Sequence, residues 1–166
     1  MFDIEAEDIL WMRRALRNAR EGDAIAGGSP IGCVIVRDGV VIGEGYNEVD
    51  LRCDATAHSE IVAIRRAGEH LRSVELRGAT LYSTLQPCGM CSMASIWAKI
   101  SRIVYGAGRG DVHDMYFEDR HMNTIDFIRD AYRDDLSLQG GVLVKECATL
   151  YFSPDSDIPK SLQFNR

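Results

Sequence analysis

The stretch QPCGMC, residues 86–91, sets two cysteines two residues apart behind a proline. Four readings compete for it: a disulfide pair, a redox switch, half of a zinc site, or two small buried side chains. Pro87 suits the first position of a helix, where the N–H it lacks would be unpaired anyway. CGMCSMASIWAKI (88–100) then reads as a helix with Cys88 and Cys91 on one face of its first turn. The exposed N–H groups and the dipole at that end favour thiolate, the form that binds metal.

The rest of the chain narrows the choice. Five cysteines (Cys33, Cys53, Cys88, Cys91, Cys147) are an odd number and a poor disulfide framework. A redox pair of the thioredoxin kind should follow the first strand of a βαβ unit. Here the pair comes after a hairpin, a helix and a further strand. A zinc ribbon needs a second Cys-x-x-Cys, and the sequence has none. The chain's 166 residues suit one domain, 1–166, and 46% hydrophobic with 27% charged residues is an ordinary globular balance. No apolar run approaches the ~18–20 residues that cross a bilayer. The acidic start, MFDIEAEDIL, lacks the character of a secretory signal, so a cytoplasmic location and no membrane partner are expected. A net charge of -6 gives no general help in binding phosphate backbones.

Periodicity supplies the architecture. EDILWMRRALRNARE (7–21) places Ile9, Met12, Leu16 and Ala19 on one stripe and predicts an amphipathic helix with a solvated arginine face. IGCVIVRDGVVIGEGYN (31–47) is two β-rich runs joined by Asp38-Gly39, a hairpin signal. AHSEIVAIRRAGEHL (57–71) has helical spacing, ATLYST (79–84) and RIVYGA (102–107) read as strands, and TIDFIRDAYRDDL (124–136) as a helix. GVLVKE (141–146) is expected as a last strand, with a short helix near CATLYF. Helices alternate with strands after an opening hairpin, which predicts an α/β fold with a mixed sheet.

The partner of the cysteines is sought in TAHSEI (56–61), which also opens a helix. Alone, His58 is an ordinary core or surface histidine and Glu60 a favoured first-turn acid. Together with the cysteines they spell H-x-E followed by P-C-x-x-C, and so resemble the zinc-dependent nucleobase deaminases. His58 and Glu60 lie at i and i+2, which on a helix body point apart. They converge only if the helix aims its N-terminus at the site, so two helix N-termini are expected to meet at one metal. One imidazole and two thiolates leave a fourth position for water, as in catalytic zinc sites, and zinc lowers that water's pKa to about 7. The resemblance implies His58, Cys88 and Cys91 as ligands of one Zn2+ per chain and Glu60 as the proton carrier. A purely structural zinc in an interaction module is the non-enzyme alternative, but it has no use for Glu60 beside the metal.

The likeness runs from about Met12 to Gly106 and extends to the cytidine deaminase-like superfamily. Within it, the chain is most similar to the branch holding bacterial guanine deaminase, fungal-type cytosine deaminase and the tRNA adenosine deaminases. It is carried by GGSPIGCVIVRDGVVIGEGYN, DATAHSEIVAIRRA and ATLYSTLQPCGMCSMASIWAKISRIVYGA. The fold implied is a three-layer α/β/α sandwich around a five-stranded mixed sheet, and a homodimer. Asn47 matches an asparagine that contacts the base, where the residues alone read as a strand-end turn. Ser59 stands where alanine is usual and Gln86 where glutamate is frequent; both bear on substrate or packing.

The substrate is read from residues 107–122, which begin AGRGDVHDMYFEDRH. This resembles the guanine deaminase segment, with Asp111, Phe117, Glu118 and Asp119 in register and Asp119 where that enzyme meets the purine. A solvated loop charge is the competing account of Asp119. Trp97 matches a tryptophan near the same pocket, or packs in the core, and Ile31 replaces a phenylalanine. Residues 111–135 hold eight acidic groups against three arginines, and SPDSDIPKSLQFNR lacks a basic helix. Both oppose phosphate binding. A small-molecule base is therefore the expected substrate, guanine first; tRNA is the rival, with cytosine or a nucleoside as further alternatives.

Overall fold

The computed structural model describes residues 5–117, 135–159 and 161. Strands β1 (Ser29–Arg37) and β2 (Val40–Asn47) pair antiparallel, closing with Arg37 opposite Val40. Between them Asp38 and Gly39 take φ of 53° and 71°, the two positive values that a tight hairpin turn requires. β3 (Thr80–Leu85) runs antiparallel along the other side of β1. β4 (Arg102–Ala107) then lies parallel to β3, and β5 (Ser137–Gln139) parallel to β4. The order is β2-β1-β3-β4-β5, a five-stranded mixed sheet as expected.

Alternation along the strands builds the layers. Val34, Val36, Tyr82 and Val104 face Met12, Ala15 and Leu16 of α1 (Ala6–Asp23). Cys33, Ile35, Leu81 and Ile103 face the opposite way, toward Ala63 and Ala67 of α3 (Ser59–Leu71). A short α2 (Val49–Arg52) precedes α3, and α4 (Gly89–Trp97) joins β3 to β4. Two glycines set how closely the helices approach. A β-carbon on Gly32 would lie 2.1 Å from the Ala15 carbonyl oxygen, and one on Gly43 2.3 Å from that of Ala63. Each helix backbone therefore rests directly on a strand, one on each face of the sheet.

After β4 the structure departs from the sequence reading. The helix expected over 124–136 lies almost wholly outside the described residues. GVLVKE (141–146) is not a strand: the sheet takes the preceding Ser137–Gln139 instead, and α5 spans Val144–Ala148. Gly141 and Leu143 have φ of 84° and 52°, which no extended run accommodates. The apolar residues that suggested a strand are used as core, with Val142 and Cys147 fully buried against the α1 face.

A buried ion pair fastens α1 to the sheet. Arg102 on β4 donates to both oxygens of Asp8, at 2.6 and 2.9 Å, and the Tyr82 hydroxyl and Glu5 N–H add donors at 3.1 and 3.2 Å. Burial pushes the Asp8 carboxyl up, but Arg102 and the other donors outweigh it and hold it below the ordinary 3.8. Asp8→Asn is expected to cost about 2–3 kcal/mol in urea unfolding, less than a fully enclosed pair because Arg102 is partly solvated. A lowered carboxyl stabilises the fold fully above its unfolded value, so the difference between wild type and variant should hold at neutral pH and shrink as the pH falls through 3.8 and below.

Candidate active site

α3 and α4 start beside each other on one face of the sheet. His58 is the N-cap of α3 and Cys88 the N-cap of α4, each with extended backbone. Their carbonyls accept the first helical bonds, from Val62 N–H and Ser92 N–H, both at 2.9 Å. Pro87 thus sits just before the cap and not at the first helical position: the extended chain leaving β3 runs on through Gln86 and Pro87, and the turn begins at Gly89. Cys91 is the third residue of α4, in the same first turn as Cys88.

His58 Nδ1 lies 3.6 Å from Cys88 Sγ and 3.7 Å from Cys91 Sγ, and all three donor atoms lie within 4.8 Å of one another. An imidazole nitrogen and a thiolate sharing one tetrahedral zinc sit about 3.5 Å apart, so the donors fit. One nitrogen and two sulfurs are a zinc set, too soft for calcium or magnesium. Among the described residues no fourth His, Cys, Asp or Glu completes the group, the pattern of a zinc that keeps a position open.

The electrostatics suit a cation. The hydrogen bond from Cys91 brings the Cys88 thiol down to about 4, against burial, with His58 assisting. Cys91 is pushed up by its bond to Cys88 and by burial, so the pair retains a proton that a divalent ion displaces. Glu60, the second residue of α3, is 4% exposed. Burial raises its carboxyl, the Cys88 charge raises it further, and His58, a backbone N–H and the Ser59 hydroxyl hold it back.

The other candidates are placed unequally. Asn47 ends β2, where its Oδ1 accepts Val49 N–H at 3.1 Å, and the next residue's N–H bonds the Ala57 carbonyl at 2.9 Å, beside His58. Trp97 is the last residue of α4 and 65% exposed. At 1.5 Å per residue it lies about 13 Å along the axis from Cys88, so the fold does not bring it to the metal donors of its own chain. Asp119 lies outside the described residues. Asp111 is engaged by its own turn, accepting Gly108 N–H at 2.8 Å, and the buried Gln86 accepts Arg109 N–H at 3.4 Å, holding the same turn. Cys33 and Cys147 are buried and Cys53 exposed, all unpaired thiols. Ser83 lies within the strand predicted over 79–84, and its hydroxyl reaches Glu60. Strand alternation with Leu81 puts it on the α3 face, and a polar residue on that otherwise apolar face was the available signal.

This fold and donor set define the class of zinc-dependent deaminases. Residues 5–107 match the family model described as the cytidine and deoxycytidylate deaminase zinc-binding region, and the chain belongs to that family. It is 35% identical over 143 residues to a tRNA-specific adenosine deaminase of Buchnera aphidicola subsp. Schizaphis graminum, covering 86% of this chain and 90% of that one. It is 39% identical over 109 residues to the guanine deaminase of Bacillus subtilis, covering 66% and 70%. A solved structure from a study of A-to-I editing by tRNA:A34 deaminases superposes with a TM-score of 0.72 at 34% identity, covering 85% of this chain and 98% of that one.

The purified protein should carry about one zinc per chain by plasma mass spectrometry, and Cys91→Ser should lower this to about a tenth. Chelation should lower the melting temperature of the wild type and leave that of the variant unchanged.

Proposed function

We propose that this protein releases ammonia hydrolytically from a nucleobase, and that the base is an adenine carried in tRNA. The observation behind the chemistry is the buried Glu60 carboxylate beside a three-donor metal group. Zinc held by His58, Cys88 and Cys91 supplies the Lewis acidity that makes water nucleophilic near neutral pH. Glu60 takes one proton of the attacking water and delivers it to the ring nitrogen; it then takes the second proton of that oxygen, as the carbonyl forms, and gives it to the amine that departs as ammonia. Asn47, with Oδ1 committed to Val49 N–H, offers its amide N–H to an acceptor on the base. The enclosed first turns of α3 and α4 keep bulk water from Glu60.

The choice of tRNA reverses the preference drawn from residues 107–122. Similarity to a tRNA-specific adenosine deaminase runs over 86% of the chain, against 66% for guanine deaminase. Asp111, one of the residues behind the guanine preference, is occupied in its own turn. A free guanine-type base is the second reading, favoured by the net charge of -6, which opposes phosphate binding. The protein acts as a homodimer. α4 exposes Met93 and, one turn on, Trp97 at 65%, and Val74 nearby in the chain's α3–β3 connection is 88% exposed, apolar surface that a second copy would cover. On this reading Trp97 serves the partner contact.

Two measurements test these assignments. Zinc-loaded protein is expected to release ammonia from tRNA, with inosine appearing at an adenosine position, and Glu60→Gln to lower turnover about 10²–10⁴-fold while keeping its zinc. Release from free guanine alone would replace the tRNA reading with the second one. In sedimentation, the wild type should run as a dimer and Trp97→Glu shift toward monomer; a monomeric wild type rejects the dimer.

A further inference from the structure

A carboxylate that takes a proton from water works only while its oxygens are held toward that water. Glu60 sits in the first turn of α3, and its side chain has enough rotatable bonds to turn away. Two hydroxyls restrain it, beside the Cys91 thiol, which also hydrogen-bonds it. Ser59 Oγ donates to Oε2 at 2.9 Å, and Ser83 Oγ donates to Oε1 at 3.2 Å. Both serines are fully buried. Among the described residues neither hydroxyl has a second side-chain partner, so each is given wholly to this carboxylate.

The two donors come from independent parts of the fold. Ser59 belongs to the same helical turn as Glu60, whereas Ser83 stands on β3, in the strand pair with Cys33 of β1 and Tyr105 of β4. Each holds a different oxygen, so rotating the carboxylate about its last bond breaks both contacts at once. A buried serine without a partner is costly, and alanine would fill either position without that cost. A residue of the paired sheet thereby sets the orientation of a group carried on a helix end.

We infer that Ser59 and Ser83 are positioning residues that hold the Glu60 carboxylate in the orientation proton transfer needs; this rests on the deaminase reading of the site. Neither hydroxyl is bonded to His58, Cys88 or Cys91, and both act through Glu60, so the pair should act on turnover and not on substrate binding. Displacing a reacting group by about 1 Å costs on the order of 10²-fold in rate.

The test combines kinetics with a structure. Ser59→Ala/Ser83→Ala is expected to keep its zinc, to stay folded at the assay temperature though melting lower, and to lose about 10²-fold in kcat on tRNA or guanine, whichever the wild type deaminates, with KM unchanged. Ser83→Thr, which keeps the hydroxyl, should retain kcat in the wild-type range. Crystals of the zinc-loaded double variant should show the Glu60 carboxylate moved or spread over several rotamers, against one position in the wild type. Wild-type kcat in the double variant, or a Glu60 carboxylate unmoved in its density, overturns the inference. If the wild type deaminates neither substrate, the deaminase reading fails by itself, and the Glu60 density still decides whether the serines hold it.

Discussion

The molecule depends on two helices beginning at the same point. A histidine and a glutamate two positions apart cannot share a site from the side of a helix, because successive residues there turn by about 100°. At the helix end the restriction lifts, since the N-cap still has extended backbone. His58 occupies that cap and Glu60 the first turn, while Cys88 and Cys91 repeat the arrangement on α4. The sheet makes the convergence possible. β3 delivers Cys88 from its C-terminal end, and the end of β2 is bonded to Ala57, next to His58. Sites of open α/β sheets lie outside the carboxyl ends of strands for the same reason: the helices that follow start there.

Convergence brings negative charge into a dry place. Two thiols and a carboxyl share the site, and in the absence of a cation they compete, with Cys88 lowered and Cys91 and Glu60 raised. A divalent ion relieves that competition, which couples metal binding to the stability of the surrounding turns. The helix N-termini contribute as well, since their unpaired N–H groups favour anionic ligands. Away from the site, the most buried acidic groups are matched by arginines. Asp8 has Arg102, Glu44 has Arg14, and the buried Glu48 has Arg52 and Arg66. The last of these ties α2 and α3 together just behind Asn47. Packing holds the frame rigid, because Gly32 and Gly43 let α1 and α3 sit on the backbone of neighbouring strands from opposite sides.

The outward face of α4 follows a different logic. A helix with apolar residues on nearly every side is normally enclosed. Here Ile96 is buried, while Met93 and Trp97 face solvent. An indole at the far end of α4 with most of its surface exposed is not packed in the core of this chain. The distance along the helix puts Trp97 out of reach of the zinc donors of its own chain.

By itself, the sequence determined the elements whose signals are local. The Asp38-Gly39 turn, the apolar stripe from Met12 to Ala19, and the strands at 79–84 and 102–107 were all readable, because each depends on near neighbours in the chain. The metal donors were readable too, through the resemblance of H-x-E and P-C-x-x-C to the zinc deaminase signature. Other features required the tertiary structure. Leu143 takes a left-handed backbone and Ser137–Gln139 replaces 141–146 at the sheet edge, because pairing with β4 and burial of Val142 and Cys147 outweigh an apolar run's preference for strand. Ser83 gains its meaning only when β3 is laid beside α3, and Asp8 only when α1 crosses β4. Such contacts join residues far apart in the chain, and no local pattern of residues encodes the geometry that makes them neighbours.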